Sequence, residues 1–208
     1  TGNPVRKDLL NAINERAEGT AFYGLDPNKK TVLITGGSLG AGSINKAMVR
    51  WLDRIATWEN VQVIWQCGSY YHKELEVRLK DHLPENVKFM PFLKRMDLAY
   101  ACADLVVARA GAGTISELCL LGKAVVLVPS PNVAEDHQTK NAMALVNKQA
   151  AVMIKDSEVI EQLGEVMNRL LQNDQERNNL SEHILTLAMK DSDEVIAKEI
   201  LQIVNCKF

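Results

Sequence analysis

Six short runs rich in β-branched residues alternate along this chain with longer amphipathic stretches, and that order fixes most of what the chain can fold into. The runs are Thr31-Val-Leu-Ile-Thr35, Val61-Gln-Val-Ile-Trp-Gln66, Val87-Lys-Phe-Met90, Asp104-Leu-Val-Val-Ala108, Ala124-Val-Val-Leu-Val128 and Ala151-Val-Met-Ile154. Most are apolar almost throughout, as strands covered on both faces must be. Parallel neighbours need a crossover between them, and the helical stretches supply it. The expected fold is therefore α/β: a doubly wound, Rossmann-like parallel sheet of about six strands with helices on both faces.

The first helical pattern follows Gly36-Gly-Ser-Leu-Gly-Ala-Gly-Ser43 and runs to about Thr57, with Ile44, Met48, Trp51, Leu52 and Ile55 at helical spacing. From Ser157 onward three helical patterns, over 158–171, 174–189 and 193–204, have no strand between them. The chain is thus expected to be one domain over 1–208 with a helical tail from about 157 to 208.

Composition excludes some partners. Lys and Arg number 24 against 26 Asp and Glu, a net charge of -2, so nothing global attracts nucleic acid or an anionic membrane. The longest apolar run, ending at Pro129, falls far short of the roughly 18 to 20 residues that cross a bilayer. Cys67, Cys102, Cys119 and Cys206 lack CxxC spacing and read as buried thiols of a reducing, cytoplasmic compartment. The start, Thr1-Gly-Asn-Pro-Val-Arg6, carries no signal pattern and reads as the cut end of a longer chain.

In a doubly wound sheet, ligands sit beyond the carboxyl ends of the strands near the switch point, so the loops after the first and fourth runs are the places to look. After the first comes Gly36-Gly37-Ser38-Leu39-Gly40-Ala41-Gly42, where small residues let the backbone approach a phosphate at a helix start. It lacks the Gly-Lys-Ser/Thr of a Walker loop, and no acid ends the second strand to hold the ribose of a dinucleotide. A glycine-rich turn without a ligand stays open for this loop alone. The fourth run weighs against it, because Arg109-Ala-Gly-Ala-Gly-Thr114 repeats the design and leads into Ile115-Ser116-Glu117. Two such helix starts can face one diphosphate, with no metal and no cofactor.

Glu117, three residues past Thr114, can accept from a ribose diol, or it can serve only as a favourable first-turn charge. The polar run after Pro131, Asn132 to Ala142, suits sugar hydroxyls, with Gln138 the leading candidate; a solvated helix start explains the same composition. Asp191-Ser192-Asp193 reads as a cap, not a metal pair, and His72, His82 and His183 lack metal-ligand spacing. No catalytic histidine is assigned.

Together these residues resemble the MurG transferases of bacterial cell-wall synthesis. The resemblance rests on Gly2-Asn-Pro-Val-Arg6, Gly36-Gly-Ser-Leu-Gly-Ala41, Pro91-Phe-Leu93, Tyr100 to Asp104, the Arg109 to Glu117 run, and Asp136-His-Gln-Thr-Lys-Asn-Ala142. It implies the GT-B fold, two Rossmann-like domains, of which this chain is the C-terminal, donor-binding half; the N-terminal acceptor-binding half is absent. It also implies inverting, metal-independent transfer of N-acetylglucosamine from UDP-N-acetylglucosamine to a lipid-linked muramyl-pentapeptide in peptidoglycan synthesis, at the inner face of the cell membrane.

Family roles then fall on matching positions. Arg6 and Ser38 fall near the diphosphate, Leu93 meets the uracil through its backbone, Ala112, Gly113 and Thr114 surround phosphate and sugar, and Gly37, Ile115 and Ser116 complete the donor-binding set. Glu117 takes the ribose and Gln138 reads the sugar; Thr139, also in the donor-binding set, stands where some members carry a second glutamine. Leaving-group stabilisation falls to Arg6, Ser38 and Thr114, and the isolated half is expected to be inactive. Two rivals share the architecture: a UDP-N-acetylglucosamine epimerase, and a non-catalytic donor-binding subunit that needs a separate partner.

Overall fold

The computed structural model describes residues 2–6, 9 and 14–205. Cys206, one of the four cysteines read above, lies outside them. The described residues form a six-stranded sheet in the order β3-β2-β1-β4-β5-β6. The strands are β1 (Lys30–Thr35), β2 (Val61–Gln66), β3 (Val87–Met90), β4 (Leu105–Ala108), β5 (Val125–Leu127) and β6 (Val152–Met153). Every neighbouring pair is parallel. The order reverses between β1 and β4, so the crevice of the switch point opens between their carboxyl ends.

Nine α-helices are present among the described residues: α1 (Arg16–Tyr23), α2 (Gly42–Ala56), α3 (His72–Leu79), α4 (Met96–Cys102), α5 (Ala112–Leu121), α6 (His137–Val146), α7 (Val159–Gln172), α8 (Asp174–Leu185) and α9 (Ser192–Asn205). Side-chain alternation along the strands divides the core into two layers. Val32, Ile34, Val63, Trp65 and Val107 pack with Ile44, Met48, Leu52 and Ile55 of α2, Leu75 and Leu79 of α3, and Leu163 and Met167 of α7. Leu33, Ile64, Val106 and Leu127 point the other way, onto Tyr23 of α1, Leu98 and Tyr100 of α4, Leu118 and Leu121 of α5, and Leu145 of α6.

Close helix contacts are made at glycine. A Cβ on Gly164 of α7 would sit 2.1 Å from the Trp51 ring, which packs there and donates from Nε1 to Ile160 O at 2.9 Å. A Cβ on Gly19 of α1 would meet Cys102 Sγ at 2.5 Å and Leu98 O at 2.6 Å. Helix α1 has no counterpart in the sequence reading, because two of the three residues it buries, Gly19 and Thr20, are small and only Tyr23 is large. Its orientation is fixed by Arg16, which donates to both carboxylate oxygens of Asp104, at 3.1 and 3.0 Å. Asp104 also accepts from Thr31 N at 2.7 Å, so it ties the amino ends of β1 and β4 instead of opening a strand.

The tail is helical, as its pattern requires, although α8 stops at Leu185, short of the expected 189. Helix α9 leaves Ile200, Leu201 and Ile203 each more than half exposed. Cys67, Cys102 and Cys119 are buried free thiols, and burial pushes Cys67 and Cys119 up to about 11. No helix among the described residues is long and apolar enough to cross a membrane.

Candidate donor-nucleotide site

The first glycine loop is shaped by two contacts that only glycine permits. Gly40 and Gly68 have φ of +86° and +89°; a Cβ on Gly40 would lie 2.0 Å from Cys67 O, and one on Gly68 would lie 2.2 Å from Gly40 N. The loop after β1 is thereby pressed onto the loop after β2. Two buried amides then lock it. Gln66 donates from Nε2 to Gly37 O at 2.9 Å and Pro91 O at 3.1 Å, while its Oε1 accepts from Thr35 Oγ1 at 2.6 Å. Asn45 donates to Cys67 O at 2.8 Å and accepts from Trp65 Nε1 at 3.0 Å.

Helix α2 therefore starts at the carboxyl edge of β1, and α5 starts at the carboxyl edge of β4. Their N-cap residues, Ala41 and Gly111, are both extended, and neither makes a side-chain cap bond. The first-turn N–H groups of both helices are left to whatever occupies the space in front of them.

That space is a cleft of about 460 Å³ lined by Gly36, Gly37, Gly40, Ala41, Gly42, Tyr71, Arg109, Gly111, Thr114, Glu117, Ser130, Asn132 and Gln138, among others. A second compartment of about 230 Å³ is lined by Arg6, Ser38, Gln66, Phe92, Leu93 and Lys94. The two share Thr35, Gly37, Met96 and Glu117 as walls, so they form one continuous groove across the switch point. A cavity of similar size, about 470 Å³, lies at the opposite, amino end of the sheet against Asp26, Lys29, Glu59, Gln62 and Asn86. None of its lining residues opens a helix among the described residues.

Glu117 stands where the compartments meet. Its carboxylate accepts from Tyr100 Oη at 3.1 Å, and burial together with this carboxylate pushes the Tyr100 phenol far up, so Tyr100 stays a neutral donor. Met96 and Tyr100 both belong to α4, which begins with Arg95 donating to Asp97 at 2.6 to 3.0 Å. The Arg95 guanidinium holds the Asp97 carboxyl below the usual carboxylate range. On the far wall, Gln138 lines the cleft and its Oε1 accepts from Ser130 N at 2.9 Å, which fixes the amide and leaves Nε2 as its donor.

The sequence-predicted residues separate into two groups. Arg6, Gly37, Ser38, Leu93, Thr114, Glu117 and Gln138 line the groove. Ala112, Gly113, Ile115, Ser116 and Thr139 are absent from its lining. Ala112 and Gly113 are exposed on the first turn of α5, where only their backbone can serve the cleft. Ile115 packs on the core, and Ser116 donates to Ala112 O and accepts from Asn3 Nδ2. Thr139 lies in a neighbouring cavity of about 360 Å³ and donates to Asp136 at 2.6 Å. Thr35, Gln66 and Tyr71 also line the groove and Asn45 braces its first loop, although their side chains carry no phosphate or sugar signature of their own. No group of His, Cys, Asp and Glu among the described residues is placed to hold a metal ion.

A doubly wound parallel sheet with two glycine-entered helix starts on one crevice, followed by a helical tail, has the architecture of the C-terminal half of a GT-B glycosyltransferase. Residues 31–197 match the glycosyltransferase family 28 C-terminal domain, and the chain belongs to that family. It is 51% identical over 207 residues to the UDP-N-acetylglucosamine--N-acetylmuramyl-(pentapeptide) pyrophosphoryl-undecaprenol N-acetylglucosamine transferase of Parabacteroides distasonis, a match covering all of this chain and 56% of that protein. The enzyme of the same name from Flavobacterium psychrophilum is 45% identical, over 99% of this chain and 55% of its own length. The chain thus spans a little over half the length of the curated relatives it matches.

Among solved structures, MurG of Acinetobacter baumannii superposes with a TM-score of 0.71 at 29% identity, covering 90% of this chain and 53% of that one. The C-terminal CMP-Kdo binding domain of WaaA from Acinetobacter baumannii is 13% identical, with a TM-score of 0.64 over 84% of this chain and 96% of that one. At that identity the likeness speaks for the fold alone.

Proposed function

We propose that this chain is the donor-binding domain of an inverting glycosyltransferase that moves N-acetylglucosamine from UDP-N-acetylglucosamine to a lipid-linked muramyl-pentapeptide. The observation that carries the reading is the groove at the switch point, where the starts of α2 and α5 open onto one space with Glu117 at its centre. The uracil sits in the smaller compartment against the Leu93 backbone, the ribose diol donates to Glu117, and the diphosphate lies between the helix starts. The sugar reaches Gln138, whose Nε2 donates to a sugar hydroxyl oxygen. Identity to relatives named for this reaction supports the choice of sugar and acceptor.

In the transfer step the acceptor hydroxyl oxygen bonds to the anomeric carbon as the bond to the β-phosphate oxygen breaks. The hydroxyl proton passes to a base on the other half, and the electron pair leaves with UDP. This chain's part is to oppose the charge that grows on the diphosphate, through first-turn N–H groups, Ser38, Thr114 and the Arg6 guanidinium. A well-placed donor of this kind contributes about 2.7 to 4 kcal/mol to a transition state. The acceptor and the contact with the inner membrane face belong to the part of the relatives' length that this chain does not span.

Calorimetry of the chain with UDP, UDP-N-acetylglucosamine, UDP-glucose and NAD tests the reading. The expected order is measurable binding of UDP and UDP-N-acetylglucosamine, weaker binding of UDP-glucose and none of NAD. Binding of NAD in preference to UDP sinks it. Appearance of the 2-epimer on incubation with UDP-N-acetylglucosamine replaces it with the epimerase reading.

A further inference from the structure

Four loops at the carboxyl edge of the sheet meet on one side chain. Arg109, the first residue after β4, donates through Nη1 to Val128 O at 3.0 Å and Pro129 O at 3.2 Å, both at the end of β5, and to the Asp156 carboxylate beyond β6. Its Nη2 donates at 2.9 Å to Ser43 Oγ on the first turn of α2, and Ser43 in turn donates to the same Asp156 oxygen. The pair is largely enclosed, with side-chain exposures of 16% for Arg109 and 23% for Asp156. A cation beside a phosphate cleft invites the reading that it binds phosphate. Here its charge is already matched by Asp156, and both Nη atoms donate to protein oxygens, so its pull on a diphosphate is weakened.

What the cluster does hold is geometry. Ser43 belongs to the helix start on β1, and Arg109 stands two residues before Gly111, the N-cap of the helix start on β4. Asp156 joins them and forms no part of the cleft lining. We infer that Arg109, Asp156 and Ser43 form a clamp that sets the spacing of the two helix starts, and that the domain's preference for a nucleoside diphosphate over a monophosphate depends on it. The inference rests on the donor-site reading above. A diphosphate spans both helix starts, whereas a monophosphate needs only one, so loss of the clamp weakens the first far more than the second.

Asp156→Asn, Arg109→Lys and their combination, titrated calorimetrically with UDP and UMP, test this. Each single change is expected to weaken UDP about tenfold while UMP changes by no more than about twofold, and the double variant is expected to be no weaker than Arg109→Lys alone. Ser43→Ala, which removes the link to α2 without altering charge, is expected to lower the same UDP to UMP ratio and serves if either charged variant fails to fold. Tighter UDP binding by Asp156→Asn would mean that a released Arg109 binds phosphate directly, and it overturns the clamp. Equal weakening of UDP and UMP also overturns it, because that is a general structural loss. Wild-type protein that does not prefer UDP to UMP removes the donor-site reading itself, and that result is in hand before any variant is made.

Discussion

Gly40→Val is expected to reduce UDP affinity by about a hundredfold, the scale on which a displacement of about 1 Å in a binding constellation is felt. The cause lies in the backbone. Gly40 has φ of +86°, a region that a β-branched residue strongly disfavours, and its Cβ would fall 2.0 Å from Cys67 O. Neither obstacle yields by side-chain rotation, since the clashing atom belongs to the loop after β2. Overpacking costs about 1 to 3 kcal/mol and unfavourable backbone conformation about 1 to 3 kcal/mol more. Thermal unfolding should therefore shift down unless the loop lifts away, and in either event the start of α2 leaves its place. Gly113→Ala is the control for stability: a Cβ there meets no protein atom within 4 Å, so thermal unfolding is expected to stay close to wild type.

Glu117→Ala is expected to weaken UDP by roughly thirty- to a hundredfold, or about 2 to 3 kcal/mol, as two ribose hydroxyls lose a charged acceptor. The sharper signature is selectivity. Wild-type protein should prefer UDP to 2′-deoxy-UDP, and the variant should bind the two alike. Tyr100→Phe separates the carboxylate's own role from that of its brace, since it removes only the 3.1 Å bond from Tyr100 Oη. It is expected to keep the ribose preference at somewhat lower affinity. A Glu117→Ala variant that still discriminates the two nucleotides contradicts the assignment.

The sheet was legible because its physics is local. A strand buried on both faces must be apolar almost throughout, and runs such as Thr31-Val-Leu-Ile-Thr35 can hardly be read otherwise. The two glycine loops were legible for a related reason, since positive φ and close backbone approach leave few residues to choose from. The braces were not. Gln66, Asn45 and Asp156 matter through bonds to residues 20 to 113 positions away, and nothing in the neighbouring sequence announces such partners.

Helix phase explains the divided fate of the candidate residues. Thr114 and Glu117, three apart on α5, share a face and both line the groove, whereas Ile115 between them faces the core. Thr139 follows Gln138 on α6, and the turn of about 100° between consecutive helical residues carries it into the next cavity. A motif read as a continuous string overstates how many of its side chains can meet one ligand. Helix α1 escaped for the opposite reason, because its buried face is made mainly of small residues and leaves little amphipathic trace.

A crystal structure of the chain with UDP bound tests the account at its root. The expected density places the pyrophosphate in the cleft between β1 and β4, with its oxygens about 3 Å from first-turn N–H groups of both α2 and α5. A pyrophosphate held by one helix alone, or bound at the amino end of the sheet beside Lys29 and Asn86, would contradict it.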